Sequence, residues 1–285
     1  MEVETFLIMV STELRNIDFE RISRLVYEQC GINLHEGKKE LVKARLSKRL
    51  REGNFRSFGD YYRYVTTEEG TDELICMIDS LSTNLTYFFR EESHFKTLRQ
   101  LIPCLLSTPN SSGRTAKLRL WSAGCSTGEE PYSLAMTVTE NLNNLFADVK
   151  ITATDISTKV LRVAVEGIFH KDKLKNVSSG ILKKYFQTGC GQYEDYYRIN
   201  RNIREMVQFS RFNLMDVPPS GFCFDIIFCR NVMIYFDKVT QAALIKRLCE
   251  CLNNGGYLFI GHSESLTGLN HNLKYLEPSV YRKLV

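Results

Sequence analysis

The sequence predicts an α/β protein in two parts: a small all-helical N-terminal domain, then a Rossmann-like domain carrying a small antiparallel β insertion. Three observations carry this expectation. Up to about residue 105, apolar residues recur at helical spacing. Beyond the linker-like stretch "STPNSSGRTAK" (107–117), short apolar runs alternate with amphipathic segments. That alternation is the pattern of a mostly parallel sheet covered on both faces. The expected boundaries are 1–90 for the helical domain, 91–117 for a connecting helix and linker, and 118–285 for the sheet domain, with the insertion at about 183–212.

The elements follow in order. "IDFERISRLVYEQCGI" spaces Ile17, Ile22, Leu25 and Val26 for one buried face, and Gly31 stops the helix. "GKKELVKARLSKRLREG" sets Val42, Leu46 and Leu50 four residues apart, and "TDELICMIDSLS" and "ESHFKTLRQLIPCLL" predict two more helices. The expected strands are "KLRLWSA", "VKITATDI", "FDIIFCR" and "GGYLFIGH". Helices "PYSLAMTVTENL", "TKVLRVAVEGI" and "VTQAALIKRLCECL" fall between them, and "LKYLEPSVYRKLV" reads as a closing hairpin. Residues 183–212 are rich in Tyr, Phe and Arg, with turn signals at Gly189 to Gly191, which predicts the antiparallel insertion.

Composition excludes several classes. A net charge of +4 over 285 residues gives no global reason for a nucleic-acid partner. The nine cysteines are odd in number and contain no C-x-x-C pair, so neither a disulfide framework nor a zinc site is expected, and a reducing cytoplasm is. The five histidines are dispersed and predict no metal. "MEVETFLIMV" is acidic and short for a signal peptide, and no apolar run approaches the ~20 residues of a membrane span. A soluble monomer is the expectation.

The chemistry centres on "WSAGCSTGEEPYS" (121–133), a small-residue turn between a strand and a helix. A Walker loop needs glycines five apart followed by lysine; here Gly124 and Gly128 are four apart and Glu129 follows. A pyrophosphate at this helix N-terminus would meet Glu129 and Glu130. S-adenosylmethionine carries no phosphate but an ammonium, which a carboxylate can bind by a charge-assisted hydrogen bond. Asp155, at the carboxyl end of the next strand, suits ribose hydroxyls. Each acid also has an ordinary structural use: Glu129 and Glu130 favour the helix dipole, and Asp155 could cap a helix. Their order on consecutive units favours the methyl donor.

"STNLTYFFRE", "SAGCSTGEEPYSLAM", "ATDIS", "FDIIFCRNVMIYFD" and "GGYLFIGHSES" together resemble the chemoreceptor glutamate methyltransferases, the CheR family. The resemblance spans nearly the whole chain. It implies a class I S-adenosylmethionine-dependent methyltransferase domain that esterifies receptor glutamates and releases S-adenosylhomocysteine. The implied cofactor contacts are Asn84, Thr86 and Arg90 at the domain junction, Gly124 and Glu129 in the turn, Asp155, Asn213 and Leu214, and Arg230 with Asn231. Arg90 and Tyr235 are the implied catalytic residues, Arg90 orienting the acceptor carboxylate. Glu130 is left as a helix-dipole partner, and His262 in "GHSES" as a turn residue.

Between Lys38 and Arg56 eight basic residues face two acidic ones. The resemblance implies that this helix meets acidic receptor helices, with Lys43, Arg45 and Arg49 as contacts. Gly189 and Gly191 in "TGCGQ" resemble members that dock a receptor C-terminal peptide by strand addition, where Arg198 and Arg201 would meet its acidic groups. Thr188 stands where a basic residue precedes the glycines in related sequences. A non-catalytic adaptor and a methyltransferase acting on RNA or a small molecule are the alternatives. The protein is expected in the cytoplasm, recruited to membrane-bound receptor arrays.

Overall fold

The computed structural model describes residues 13–106, 116–142 and 147–284. The chain divides into two compact units, 1–83 and 84–285. The first contains α1 (Asn16–Cys30), α2 (Lys39–Glu52), α3 (Phe58–Val65) and α4 (Thr71–Leu81). The α2 stripe of Val42, Leu46 and Leu50 is buried as its spacing requires, each side chain contributing about 1.5–3 kcal/mol through burial. On α1 the buried face is Phe19, Ile22, Val26 and Cys30, whereas Ile17 is 49% exposed. Ile22 and Val26 are buried as expected and Leu25 half-buried; only Ile17, in the first turn, faces out, with Phe19 two residues on turned inward in its place. Ser57 caps α3, its hydroxyl accepting from the Asp60 amide.

The second unit opens with α5 (Glu92–Leu106) and continues through β1 (Ala116–Ala123), α6 (Glu129–Asn141), β2 (Ala147–Asp155), α7 (Thr158–Glu166) and β3 (Ile168–His170). Then come α8 (Ser179–Tyr185), β4 (Phe186–Thr188), β5 (Tyr196–Ile199), α9 (Arg201–Arg204), β6 (Val207–Arg211) and β7 (Phe224–Cys229). Last are α10 (Lys238–Cys251), β8 (Leu252–Ile260), β9 (Leu273–Glu277) and β10 (Val280–Lys283). The main sheet runs β6-β2-β1-β7-β8-β10-β9, parallel from β6 to β8 and antiparallel in the terminal hairpin. Successive residues point to opposite faces. Leu118, Leu120, Ile226 and Phe228 pack with α5 and α6, while Trp121, Ala123, Ile227 and Cys229 pack with α10.

Two expected boundaries differ. The helix Glu92–Leu106 is part of the sheet unit rather than a connector, because Phe95, Leu98 and Ile102 share one core with Leu118 and Leu120. The small sheet, ordered β3-β5-β4, starts at Ile168, before the predicted insertion, and Val207–Arg211 pairs in parallel with β2 instead of belonging to it. Of the predicted linker, residues 107–115 lie outside the described residues, and Ala116 and Lys117 begin β1.

Register positions the site. Ala123 pairs with Thr154, Asp155 with Arg211, Ser122 with Phe228 and Cys229 with Ile260. The parallel strands therefore end together, and the residues that follow them line one carboxyl edge. This edge, at the switch between β1 and β7, is where open α/β sheets bind ligands.

Candidate active site

The glycine turn is shaped by two close approaches. Gly124 has φ +83, and a Cβ there would lie 2.5 Å from Val232 Cγ2 in the loop after β7. Gly128 has φ +96, and its Cβ would lie 3.0 Å from that of Ala164 on α7. The Gly124 and Cys125 amides donate to the Thr154 carbonyl at 2.8 and 2.9 Å. Asp155 is oriented by two backbone donors, Ser126 N to Oδ2 at 2.8 Å and Ser157 N to Oδ1 at 2.9 Å. The cap of α7 is Ser157 itself, so Asp155 is not spent on capping.

Arg230, the first residue after β7, has a side chain only 1% exposed. Its Nη2 lies 3.1 Å from Glu91 Oε2 and its Nη1 3.2 Å from Glu130 Oε2. It also donates to the Arg90 carbonyl, and it lies over the rings of Phe95 and Phe228. Glu130 further accepts from Ser122 Oγ at 2.7 Å, and Glu91 from Asn231 Nδ2 at 3.3 Å and the His262 amide at 3.2 Å. Burial raises the Glu130 carboxyl above its ordinary range, against the pull of Arg230. Burial also opposes ionisation of Glu91, but Arg230, Asn231 and the His262 amide bring it below that range. Two carboxylates thus share the Arg230 guanidinium, and the charge of Arg90 also acts on Glu130.

The acid that joins Arg230 is Glu130, and Glu129 faces elsewhere. Adjacent residues on a helix diverge by about 100°, so only one of the two can face Arg230. Glu129 is fully buried, accepts from Thr127 Oγ1 at 2.5 Å and lies 3.5 Å from Lys173 Nζ.

The remaining predicted residues lie around this edge. The Asn84 carbonyl accepts from Ser126 Oγ at 3.1 Å, which brings the segment 84–91 to the glycine turn; Thr86 on it is buried. Arg90 donates to the Leu85 carbonyl at 2.8 Å and stacks over Tyr87. Asn213 follows β6 and accepts from the Met215 amide at 3.1 Å, with Leu214 packed partly into the core. Tyr235 ends a 3-10 turn after β7 and is half-buried.

Four site residues were not found from sequence: Glu91, His94, His262 in its actual contacts, and Glu264. Glu91, His94 and His262 bring potential metal-ligand atoms within 4.8 Å of one another. The Arg230 guanidinium already occupies Glu91 Oε2. At an effective dielectric of about 20, a dication about 4 Å from a guanidinium meets a repulsion of about 8 kcal/mol. The cluster is better read as a clamp. Burial, with help from Arg230, lowers the His94 pKa to about 3, so the ring is neutral there.

The predicted docking arginines of α2 are used internally. Arg45 donates to the Leu81 and Ser82 carbonyls at the end of α4, at 2.6 and 3.0 Å. Arg49 makes a two-pronged pair with Glu73 and a third bond to Glu52 at 2.6 Å. Lys43 is half-buried, while Lys48 and Arg51 are exposed. In the small sheet Gly189 donates to the Tyr196 carbonyl, and a Cβ on it would lie 2.0 Å from the Tyr193 carbonyl oxygen. Gly191 opens the following 3-10 turn; Arg198 on β5 is exposed, and Arg201 pairs with Glu205 at 2.6 Å.

The sheet order, the acid-edged glycine turn at its switch point and Asp155 on the neighbouring strand define an S-adenosylmethionine-dependent methyltransferase. Residues 84–282 match the family model described as the CheR methyltransferase SAM-binding domain, and residues 17–82 match the CheR all-alpha domain. The chain belongs to the CheR methyltransferase family. It is 41% identical to a chemotaxis protein methyltransferase of Borreliella burgdorferi, over 93% of this chain and 94% of that one. The Escherichia coli protein of the same name is 38% identical over 98% and 96%. The Pseudomonas aeruginosa chemotaxis protein methyltransferase 2 is 39% identical over 93% and 92%. The cofactor is S-adenosylmethionine, and the residues present fit it: the carboxylates of Glu91, Glu130 and Asp155 gathered at this edge suit a ligand bearing cationic groups and ribose hydroxyls.

Proposed function

We propose that this enzyme transfers a methyl group from S-adenosylmethionine to glutamate side-chain carboxylates of chemoreceptors, forming glutamyl methyl esters in sensory adaptation. The observation that carries the reading is the likeness, along nearly the full length, to proteins named chemotaxis protein methyltransferases. Asn84, Thr86, Arg90, Gly124, Glu129, Asp155, Asn213, Leu214, Arg230 and Asn231 hold the cofactor, and Glu130, which meets Arg230, competes with Glu129 for the ammonium.

Bound S-adenosylmethionine supplies a methyl carbon activated by its sulfonium. A glutamate acceptor is ionised at neutral pH and needs no general base. The protein's work is to orient the acceptor oxygen and exclude water. Arg90 does the first through its planar guanidinium, and the Tyr235 hydroxyl lines the methyl side. Incubation with labelled S-adenosylmethionine and receptor-containing membranes tests the reading: label released by base marks a carboxyl ester. Stable label would identify another acceptor, and no label would favour the adaptor.

Receptor contact is assigned to two surfaces. Lys43, with the exposed Lys48 and Arg51, offers a cationic side to acidic receptor helices. In the small sheet, among the described residues, β4 pairs only with β5, so its outer edge can accept a receptor C-terminal peptide, with Gly189 and Gly191 shaping the turn and Arg198 and Arg201 nearby. Calorimetric titration with such peptides tests this, and absence of heat and of competition would remove the tether. No helix among the described residues is long and apolar enough to cross a membrane. We place the protein in the cytoplasm as a monomer recruited to receptor arrays.

A further inference from the structure

The segment Gly261–Glu264, inside the "GHSES" motif after β8, carries no role in the chemistry above, yet it is built against the loop that bears Arg230, Asn231 and Tyr235. We propose that Glu264 is a positioning residue of the methyl-transfer site, its carboxylate fixing the backbone of residues 231–233 so that Asn231 and Tyr235 are presented to cofactor and acceptor. The proposal rests on the function proposed above.

The geometry is specific. Glu264 Oε2 accepts from the Gly261 amide at 2.6 Å and the Asn231 amide at 2.9 Å, and Oε1 accepts from the Met233 amide at 2.8 Å. Backbone donors from two loops, with the Ile234 amide added to these three, thus converge on one buried side chain. Asn231 has φ 58, a conformation that L-residues enter at a cost and keep only when neighbours enforce it. Gly261 permits the approach. A Cβ there would lie 2.5 Å from Asn231 Nδ2 and 2.9 Å from both Asn231 N and Glu264 Oε2. The Met233 bond anchors the 3-10 turn that ends at Tyr235. One carboxylate therefore governs both a proposed cofactor contact and a proposed catalytic hydroxyl without touching either ligand.

The test uses the full-length protein, with Glu264→Gln as the variant, because an amide nitrogen in place of one oxygen would confront a backbone N–H. The dissociation constant for S-adenosylhomocysteine, measured by calorimetry, rises at least tenfold. The methylation rate at saturating cofactor falls at least tenfold, while the unfolding transition stays cooperative. Ser265→Ala, which alters an exposed neighbour of Glu264 whose hydroxyl bonds Thr267, stays within twofold on both readouts. In the wild type the Asn231, Met233 and Gly261 amides exchange slowly with deuterium, and in Glu264→Gln they exchange fast. Wild-type binding and turnover in Glu264→Gln would overturn the proposal, as would fast exchange of these amides in the wild type. The exchange measurement decides even if the variant does not fold. Failure of the wild type to bind S-adenosylhomocysteine would count against the methyltransferase reading, which the exchange result is independent of.

Discussion

Two regions rich in charge, helix α2 and the carboxyl edge of the main sheet, treat their arginines in opposite ways. On α2, Arg49 is matched by Glu73 and Glu52, Arg45 caps the end of α4, and what remains is exposed, such as Lys48 with 74% of its side chain in water. At the sheet edge Arg230 is buried and has two acids, Glu91 and Glu130, for its one charge. The difference is where the surplus lies. A surplus in water is screened and supports only a weak, salt-sensitive encounter. A surplus in a buried pocket is costly until a ligand of opposite sign compensates it. The first suits the proposed docking face and the second the proposed cofactor site.

The comparison can be broken most severely at Arg230. Arg230→Met leaves two buried acids without their cation and is expected to cost about 3–5 kcal/mol in urea denaturation, with no detectable S-adenosylhomocysteine binding. A cost near zero would mean that the pocket is wet and its charge surplus unimportant. Next comes the pair of adjacent glutamates. Glu130→Gln weakens cofactor binding about 10–100-fold, the worth of one charged hydrogen bond, whereas Glu129→Gln leaves it within about threefold; the reverse order would assign the ammonium to Glu129. Because burial raises the Glu130 carboxyl, it takes up a proton at a higher pH than an ordinary glutamate. Wild-type affinity should therefore decline on acidification from that higher pH, and Glu130→Gln should flatten this part of the profile.

Smaller effects test the other side. Arg49→Ala breaks the half-buried pair with Glu73 and is expected to cost about 1–3 kcal/mol while cofactor affinity stays unchanged. Equal losses in both measurements would undo the separation between structural and functional arginines. The combined Lys48→Glu and Arg51→Glu variant should keep stability within about 0.5 kcal/mol. Its receptor methylation should fall about two- to fivefold at low salt, with the deficit shrinking as salt rises. A deficit independent of salt would argue for a specific contact instead.

Much of this was legible in the residues. Val42, Leu46 and Leu50 announced the buried face of α2, and the alternating runs announced β1, β2, β7 and β8. Family motifs named the residues around the edge, but not their partners. Glu91 stands beside Arg90 in sequence, yet its charge goes to Arg230, 139 residues away. The histidines at 94 and 262 looked dispersed, yet their rings lie 4.7 Å apart. Ile17 fitted a periodic face, yet it turns outward and Phe19 is buried in its place.

Local periodicity, turn chemistry and motif order determined the two-part fold, the strand–turn–helix at Gly124 and the absence of a phosphate loop, because these depend on near neighbours along the chain. Tertiary structure alone decided which glutamate of the pair joins Arg230, which basic residues stay exposed on α2, and that Glu264 braces the loop after β7. Those outcomes depend on strand register and helix rotation. Both bring side chains together across long sequence separations, where one residue of slip or about 100° of turn changes the partner.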